Sequence, residues 1–230
     1  MKGVLIEIEG TDGSGKRTQT ELLIRRLKKE RIPAATFSFP QYGKKSAGLI
    51  ENYLMGAYGN PATLDPCIAS YLYALDRFDA SFAIQKLLSQ GKTVVLDRYV
   101  DSNAGHQGGK IRSSAKRTAF LSWLYTLEYG ILRLPKPDVI LLLHVPARIS
   151  YKLILKKPSR AYTRGKKRDG LEANLPHLRA TEQAYLWLAR RFPKNHVVIE
   201  CTDASGALLS PEVIHEKIWE TVFLTLAKKE

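Results

Sequence analysis

Val4-Leu5-Ile6-Glu7-Ile8-Glu9-Gly10-Thr11-Asp12-Gly13-Ser14-Gly15-Lys16 is an apolar run that breaks into glycines and ends on a lysine. A helical pattern follows at once, from Thr20 to Lys29. Strand, glycine-rich turn and helix together make a cradle for phosphate. Glycine lets backbone N–H groups turn inward, the helix N-terminus adds partial positive charge, and a lysine placed like Lys16 reaches the outer phosphates of a nucleotide. The spacing G-x4-G-K also occurs in ordinary turns, but its position between a hydrophobic strand and an amphipathic helix selects the phosphate loop. One residue departs from the full pattern, which has Ser or Thr directly after the lysine as a Mg²⁺ ligand. Arg17 stands there, with Thr18 following.

Outward from this stretch, apolar runs recur at Val4–Ile8, Ala35–Phe39, Thr93–Leu96, Val139–Leu143 and Val197–Ile199, with helical patterns filling nearly every interval. Runs that are continuously apolar suit strands of a parallel sheet covered by helices on both faces, so a doubly wound α/β fold is expected. Leu64 to Gln90 reads as one bent helix or two, with Pro66 near the start. Phe120, Trp123, Leu124, Leu127 and Ile131 mark another apolar helix face, and Ser210-Pro211 reads as a cap followed by proline at the first helical position.

The 230 residues, 44% hydrophobic and 25% charged, are enough for one substantial core, so a single domain over 1–230 is expected. Thirty-six Lys and Arg against 22 Asp and Glu leave a formal charge of +14, which attracts phosphates without choosing among nucleotides, nucleic acid and anionic membrane. Cys67 and Cys201 lie far apart without metal-ligand spacing, which fits packing residues in a reduced cytoplasmic setting. No apolar run approaches a membrane span, and the N-terminus leads straight into the first strand without a signal pattern, so a soluble protein with no membrane partner is expected. Lys156 to Arg168 carries seven basic residues and no acid. Such a run is either a solvated surface loop or a lid, about 156–170, that closes over phosphates; beside a phosphate loop the lid is the better reading.

Four further motifs bear on the second substrate. Phe39-Pro40-Gln41-Tyr42 ends the second run, Tyr73 and Arg77 lie four apart, Asp97-Arg98-Tyr99 ends the third run, and Ser102-Asn103 with His106-Gln107-Gly108-Gly109-Lys110 follows it. Ligands of open α/β sheets collect at the carboxyl ends of strands, where three of these fall. Tyr73 and Arg77 share a helix face and can present a stacking ring beside a guanidinium, although a core aromatic plus a surface arginine reads equally well. Asp97 can hold Mg²⁺ through water and Arg98 can fork onto a phosphate, or the two can be a structural ion pair. Ser102 and Asn103 offer short hydrogen-bonding groups in a turn that otherwise just shapes the loop before a helix near Ser113.

Taken together, Glu9 to Lys16, Phe39-Pro40, Tyr73 with Arg77, Asp97-Arg98-Tyr99 with Ser102, Leu134-Pro135-Lys136-Pro137-Asp138 and Asp169-x-x-Glu172 resemble the thymidylate kinase family, in family order along the whole chain. The resemblance implies a three-layer α/β/α P-loop kinase fold with a five-stranded parallel sheet and a basic lid. It implies ATP as phosphoryl donor, Mg²⁺ as cofactor, dTMP as acceptor and a homodimer. Gly10, Thr11, Asp12, Gly13, Ser14, Gly15, Lys16, Arg17 and Thr18 would bind ATP, with Asp12 also meeting the acceptor sugar or the magnesium shell. Arg77 and Arg98 would grip the acceptor's base edge and phosphate, Tyr73 would stack on the base, and Ser102, Asn103 and Gln107 would line the base and sugar pocket. Phe39 and Pro40 would form its apolar wall, and Asp169 and Glu172 would close over it. Family members carry a catalytic arginine either in the phosphate loop or in the lid. Gly13 occupies the loop position, so Arg164 and Arg160 are the expected lid arginines. The basic residue that many relatives place after Phe-Pro is replaced by Gln41 and Tyr42, with Lys44 or Lys45 as stand-in. A kinase for another nucleoside monophosphate, and a catalytically impaired nucleotide- or nucleic-acid-binding protein, are the alternatives; the acceptor motifs argue against nucleic acid as the partner.

Overall fold

The computed structural model describes residues 3–156 and 174–229. Five strands, β1 (Leu5–Glu9), β2 (Ala34–Ser38), β3 (Thr93–Asp97), β4 (Val139–His144) and β5 (His196–Glu200), form one sheet in the order β2-β3-β1-β4-β5. Every neighbouring pair is parallel, as the unbroken apolar runs predict. The helices are α1 (Lys16–Lys29), α2 (Gly48–Leu54), α3 (Pro66–Ser89), α4 (Val100–His106), α5 (Ser114–Tyr125), α6 (Ala147–Lys156), α7 (Leu175–Arg191) and α8 (Pro211–Ala227).

Side chains alternate across the sheet, so β1 serves two cores. Ile6 and Ile8 pack with Leu23 and Leu27 of α1 and with Ile214, Ile218 and Val222 of α8. Leu5 faces the other layer, with Ile84 and Leu88 of α3, Ala104 of α4, Leu124 of α5 and Leu188 of α7. This is the three-layer architecture expected. Glu7 and Glu9 share the face of Leu5 and are fully buried, and there they accept the backbone N–H groups of Asp101 and Tyr99 at the start of α4.

Local chemistry sets the helix ends. Asp65 caps α3 by accepting from Cys67 and Ile68 N–H at 2.8 and 3.2 Å, with Pro66 next, and one continuous helix runs to Ser89. Ser210 caps α8 in the same way ahead of Pro211. Helix α5 passes into a π-helical segment, Thr126–Ile131, which brings Glu128 inward. Glu182 of α7 accepts the Ala147 N–H at 3.1 Å and so holds the start of α6 beside β4. Among the described residues no helix is long and apolar enough to cross a membrane.

The edge strand β5 is tied to the site helix by one buried contact. His196 Nε2 lies 2.5 Å from Asp101 Oδ2, and its Nδ1 lies 3.1 Å from the Phe192 carbonyl. Burial pulls the imidazole pKa down, but the Asp101 bond and charge outweigh it and the net shift is upward. A raised folded pKa stabilises below the ordinary histidine range and ceases to do so as pH rises through the folded value. His196→Ala should cost about 3 kcal/mol in urea denaturation at pH 6, because Asp101 loses a buried partner. The difference from the parent protein should shrink steadily towards pH 9.

Candidate active site

Directly after β1 the chain enters the phosphate loop. Gly10 and Gly13 take φ of 145° and 84°. A Cβ on Gly13 would stand 2.6 Å from the Ser150 carbonyl oxygen of α6, so this position accepts no side chain at all. The first N–H groups of α1 have no carbonyl behind them, and the N-cap is Gly15, with no side chain to satisfy them. They remain available to an anion. Lys16 is buried and folds back over the loop, its Nζ donating to the Gly10 and Thr11 carbonyls at 2.8 Å each. Burial and the Arg98 guanidinium lower its ammonium to about 7 against the pull of Asp12, Asp97 and Glu9.

Opposite the loop stands Arg98, at the end of β3, with φ of 69°, a left-handed conformation that costs a non-glycine residue about 1 kcal/mol or more. Its guanidinium pairs with Asp12 of the loop, and its NH1 donates to His106 Nε2 at 3.1 Å and to Ser102 Oγ at 3.4 Å. Burial lowers its pKa, but Asp12, Tyr185, Glu9 and Asp97 more than reverse that, so Arg98 stays a cation. Ser102 in turn donates to Glu9 at 2.8 Å, and Tyr185 of α7 donates to the same carboxylate at 2.6 Å.

Beyond the end of β2, Phe39 is buried with its ring centroid 5.7 Å from that of Tyr99, and Pro40 follows through a cis peptide bond. Tyr73 is half-buried and meets Tyr53 edge-on at 6.2 Å. Arg77 is 1% exposed, which rules out the surface-arginine reading. It makes a two-pronged pair with Glu128, its Nε donating at 2.7 Å, and gives a third bond to the Tyr99 carbonyl at 3.0 Å. Asn103 donates to the Ser70 carbonyl at 3.2 Å and to Glu128 at 3.4 Å, and Gln107 is buried with its Oε1 unpartnered.

Lys16, Asp12, Asp97, Arg98, Ser102 and the loop thus converge at the carboxyl ends of β1 and β3. Phe39, Tyr73, Arg77 and Asn103 form an adjoining wall. Three placements differ from expectation. Ser102 and Asn103 sit on helix α4 rather than in a turn, because Glu7 and Glu9 anchor that helix from below. Arg17 turns to solvent, 88% exposed, and pairs with Glu21 at 3.0 Å. The stand-in Lys44 is bonded to Gln41 Oε1 at 2.6 Å, and Gln41 is held by the buried Asp76 of α3. Arg160, Arg164, Asp169 and Glu172, with the rest of the basic lid after Lys156, lie outside the described residues. Glu128, His177 and Tyr185 are site-supporting residues that carried no sequence signal. Glu7 and Glu9 carried one, since carboxylates inside an apolar central strand need buried partners.

Magnesium bound to ATP takes oxygen ligands, chiefly phosphates and water, with one or two carboxylates. Asp12 and Asp97, both electrostatically coupled to Lys16, fit that role. Among the described residues no group of three acidic, histidine or cysteine side chains is placed to hold a metal unaided.

A parallel sheet in this order, with a phosphate loop leaving its central strand, defines a P-loop nucleotide-binding α/β protein. Comparison with known proteins narrows this further. The thymidylate kinase family model matches residues 8–218, and the chain belongs to that family. It is 35% identical over 187 residues to the thymidylate kinase of Mycobacterium tuberculosis, covering 81% of this chain and 86% of that one. It is 30% identical over 227 residues to that of Afipia carboxidovorans, covering 98% and 91%. The solved thymidylate kinase of Candida albicans shares the fold, with a TM-score of 0.72 over 97% of this chain and 92% of its own, at 23% identity.

The lowered Lys16 pKa has a measurable consequence. At pH 8 the ligand-free ammonium is mostly deprotonated, whereas triphosphate favours the charged form, so ATP binding should take up close to one proton per site. Calorimetric titration in two buffers of different ionisation enthalpy reads this directly. The uptake should vanish in Lys16→Met, and ATP affinity should fall as pH rises from about 7 to 9.

Proposed function

We propose that this chain transfers the γ-phosphoryl group of ATP to the 5′-phosphate of dTMP, giving dTDP. The observation that carries this reading is the Asp12–Arg98 ion pair: one residue of the donor cradle holds the cation aimed at the acceptor, which joins the two halves of a transfer site. Phosphoryl transfer asks for in-line positioning and neutralised charge rather than covalent chemistry. Lys16 and the α1 N-terminus hold the ATP phosphates, and Arg98 takes the acceptor phosphate. Phe39, Pro40 and Tyr73 enclose the base; Arg77, Asn103 and Gln107 supply its polar contacts, and Ser102 backs the sugar side. Asp97, through water, and Asp12 hold Mg²⁺, which supplies further charge neutralisation when bound with ATP. Arg164, then Arg160, are the lid arginines assigned to the transferring phosphate, with Asp169 and Glu172 closing over the acceptor. The chain acts as one domain, and its free Cys67 and Cys201 fit a reducing cytoplasm.

The test is ADP release with ATP and Mg²⁺ and dTMP, dUMP, dCMP, dGMP or no acceptor in parallel. Turnover selective for dTMP is expected, with kcat/KM down at least a hundredfold in Lys16→Ala and Arg98→Ala, and unchanged or higher in Arg17→Ser. Near-parental activity in Lys16→Ala would sink the mechanism. Folded protein that turns over no acceptor is a binding protein, whose affinity for nucleic acid would then fall steeply with salt.

The working form is a homodimer. Ile68, Tyr71, Leu75, Phe78 and Phe82 line one face of α3 at alternating three- and four-residue spacing and are 37–66% exposed, the seam with which one helix packs on another. A second copy of the same helix supplies a matching apolar face. Leu75→Glu with Phe82→Glu should shift the protein to a monomer in sedimentation velocity while leaving its circular dichroism intact.

A further inference from the structure

Behind Arg98 two histidines from different helices meet. His106, the last residue of α4, has Nε2 3.1 Å from Arg98 NH1 and Nδ1 3.4 Å from Nε2 of His177, in the first turn of α7. The rings stand 5.6 Å apart at 30°, and Tyr185 closes edge-on against His106 at 6.1 Å. His177 is itself anchored: its backbone N–H donates to Asn174 Oδ1 at 3.0 Å, and Thr181 Oγ1 lies 3.5 Å from its Nε2.

The chemistry of these groups orders the protons. A guanidinium only donates, so His106 Nε2 must hold a lone pair, its proton must sit on Nδ1, and His177 Nε2 must accept it. Both imidazoles are therefore neutral with protons on Nδ1. A proton added to His106 would set a cation against Arg98 and Lys16, with Asp12 as counter-charge across the site and His177 and Tyr185 on the α7 side. Burial, the larger cause, and the neighbouring cations hold the His106 pKa well below the ordinary histidine range despite Asp12.

We propose that His106 and His177 are positioning residues that fix the plane of the Arg98 guanidinium through an imidazole relay, so that helix α7 sets the aim of the acceptor-binding arginine. The inference rests on the dTMP kinase reading and deepens it. Asp12 fixes one end of the guanidinium, and the other end, NH1, is fixed by His106 and by a longer bond to Ser102. Without His106 that end depends on Ser102, whose oxygen accepts only at 3.4 Å. A fork that meets a phosphate with two parallel bonds loses its advantage when its plane rotates.

Four variants test this: His106→Leu, His106→Gln, His177→Leu and the double leucine variant, assayed for kcat/KM with dTMP and for ATP affinity. His106→Leu should lose about tenfold to a hundredfold in kcat/KM for dTMP with ATP affinity unchanged, and His106→Gln, whose amide oxygen accepts from Arg98, should regain most of it. His177→Leu should lose less, and the double variant should equal His106→Leu, since a relay broken at its first link cannot be broken again. Multiplying single-variant losses, or parental kcat/KM in His106→Leu, would overturn the proposal. Imidazole ¹⁵N shifts give a readout independent of turnover: Nδ1–H tautomers at both histidines at pH 7, with the His106 signal moved by His177→Leu, support the relay. An Nε2–H or charged His106 overturns it. If the parent protein turns over no acceptor, the functional reading fails and the relay is decided by those spectra.

Discussion

Glu9 is the buried knot on which the site depends. Its carboxylate accepts from the Tyr99 N–H at 2.9 Å, from Ser102 Oγ at 2.8 and 3.0 Å, and from Tyr185 Oη at 2.6 Å. It therefore binds the chain leaving β3, the first turn of α4 and the middle of α7 to the residue directly before the phosphate loop. A carboxylate buried among apolar strands is tolerable only when its lone pairs are filled, and filling them needs donors from elements far apart in sequence. The same bonds that stabilise Glu9 set the distance between the loop and Arg98, so packing and function are one requirement here.

The layer beneath follows the same logic with full charges. Arg77 and Glu128, both essentially unexposed, form a pair whose net contribution to stability is small, because desolvation offsets most of the attraction. What it supplies is definition. Arg77 cannot leave Glu128 without stranding a buried charge, so its guanidinium is held in one fixed direction, on the same carboxylate that accepts from Asn103. Glu7, which accepts the Asp101 N–H at 3.1 Å, is pushed well above the usual carboxylate range by burial and by Asp101 and Glu9.

The strands and the long helix were legible because each depends on local pattern: apolar runs place all five strands to within a residue or two, Pro66 lies at the start of the long helix, and Ser210-Pro211 marks a helix start that the backbone confirms. The phosphate loop was legible for the same reason, being contiguous. Glu128 was not, because its meaning comes from Arg77, 51 residues away, and from a π-helical turn that rotates an apparently external acid inward. His177 was invisible for a similar reason: a histidine two residues after the start of a helix announces nothing until α4 is placed against it. Ser102-Asn103 misled because a seven-residue helix ending at His106 has too little length for periodicity.

Charge within the site is balanced in a way that favours phosphate. Lys16 and Arg98 repel one another, which is why Arg98 helps to lower the Lys16 pKa, and the pair persists because Asp12, Asp97 and Glu9 stand around it. Position 13 of the loop adds no further cation between them, since α6 closes on Gly13 and leaves no room for a side chain there. A phosphate placed between the two groups would offset that repulsion, while the Asp12 bond holds the Arg98 guanidinium in place. Because the neighbouring guanidinium helps to lower the Lys16 pKa, phosphate binding and protonation of Lys16 are linked.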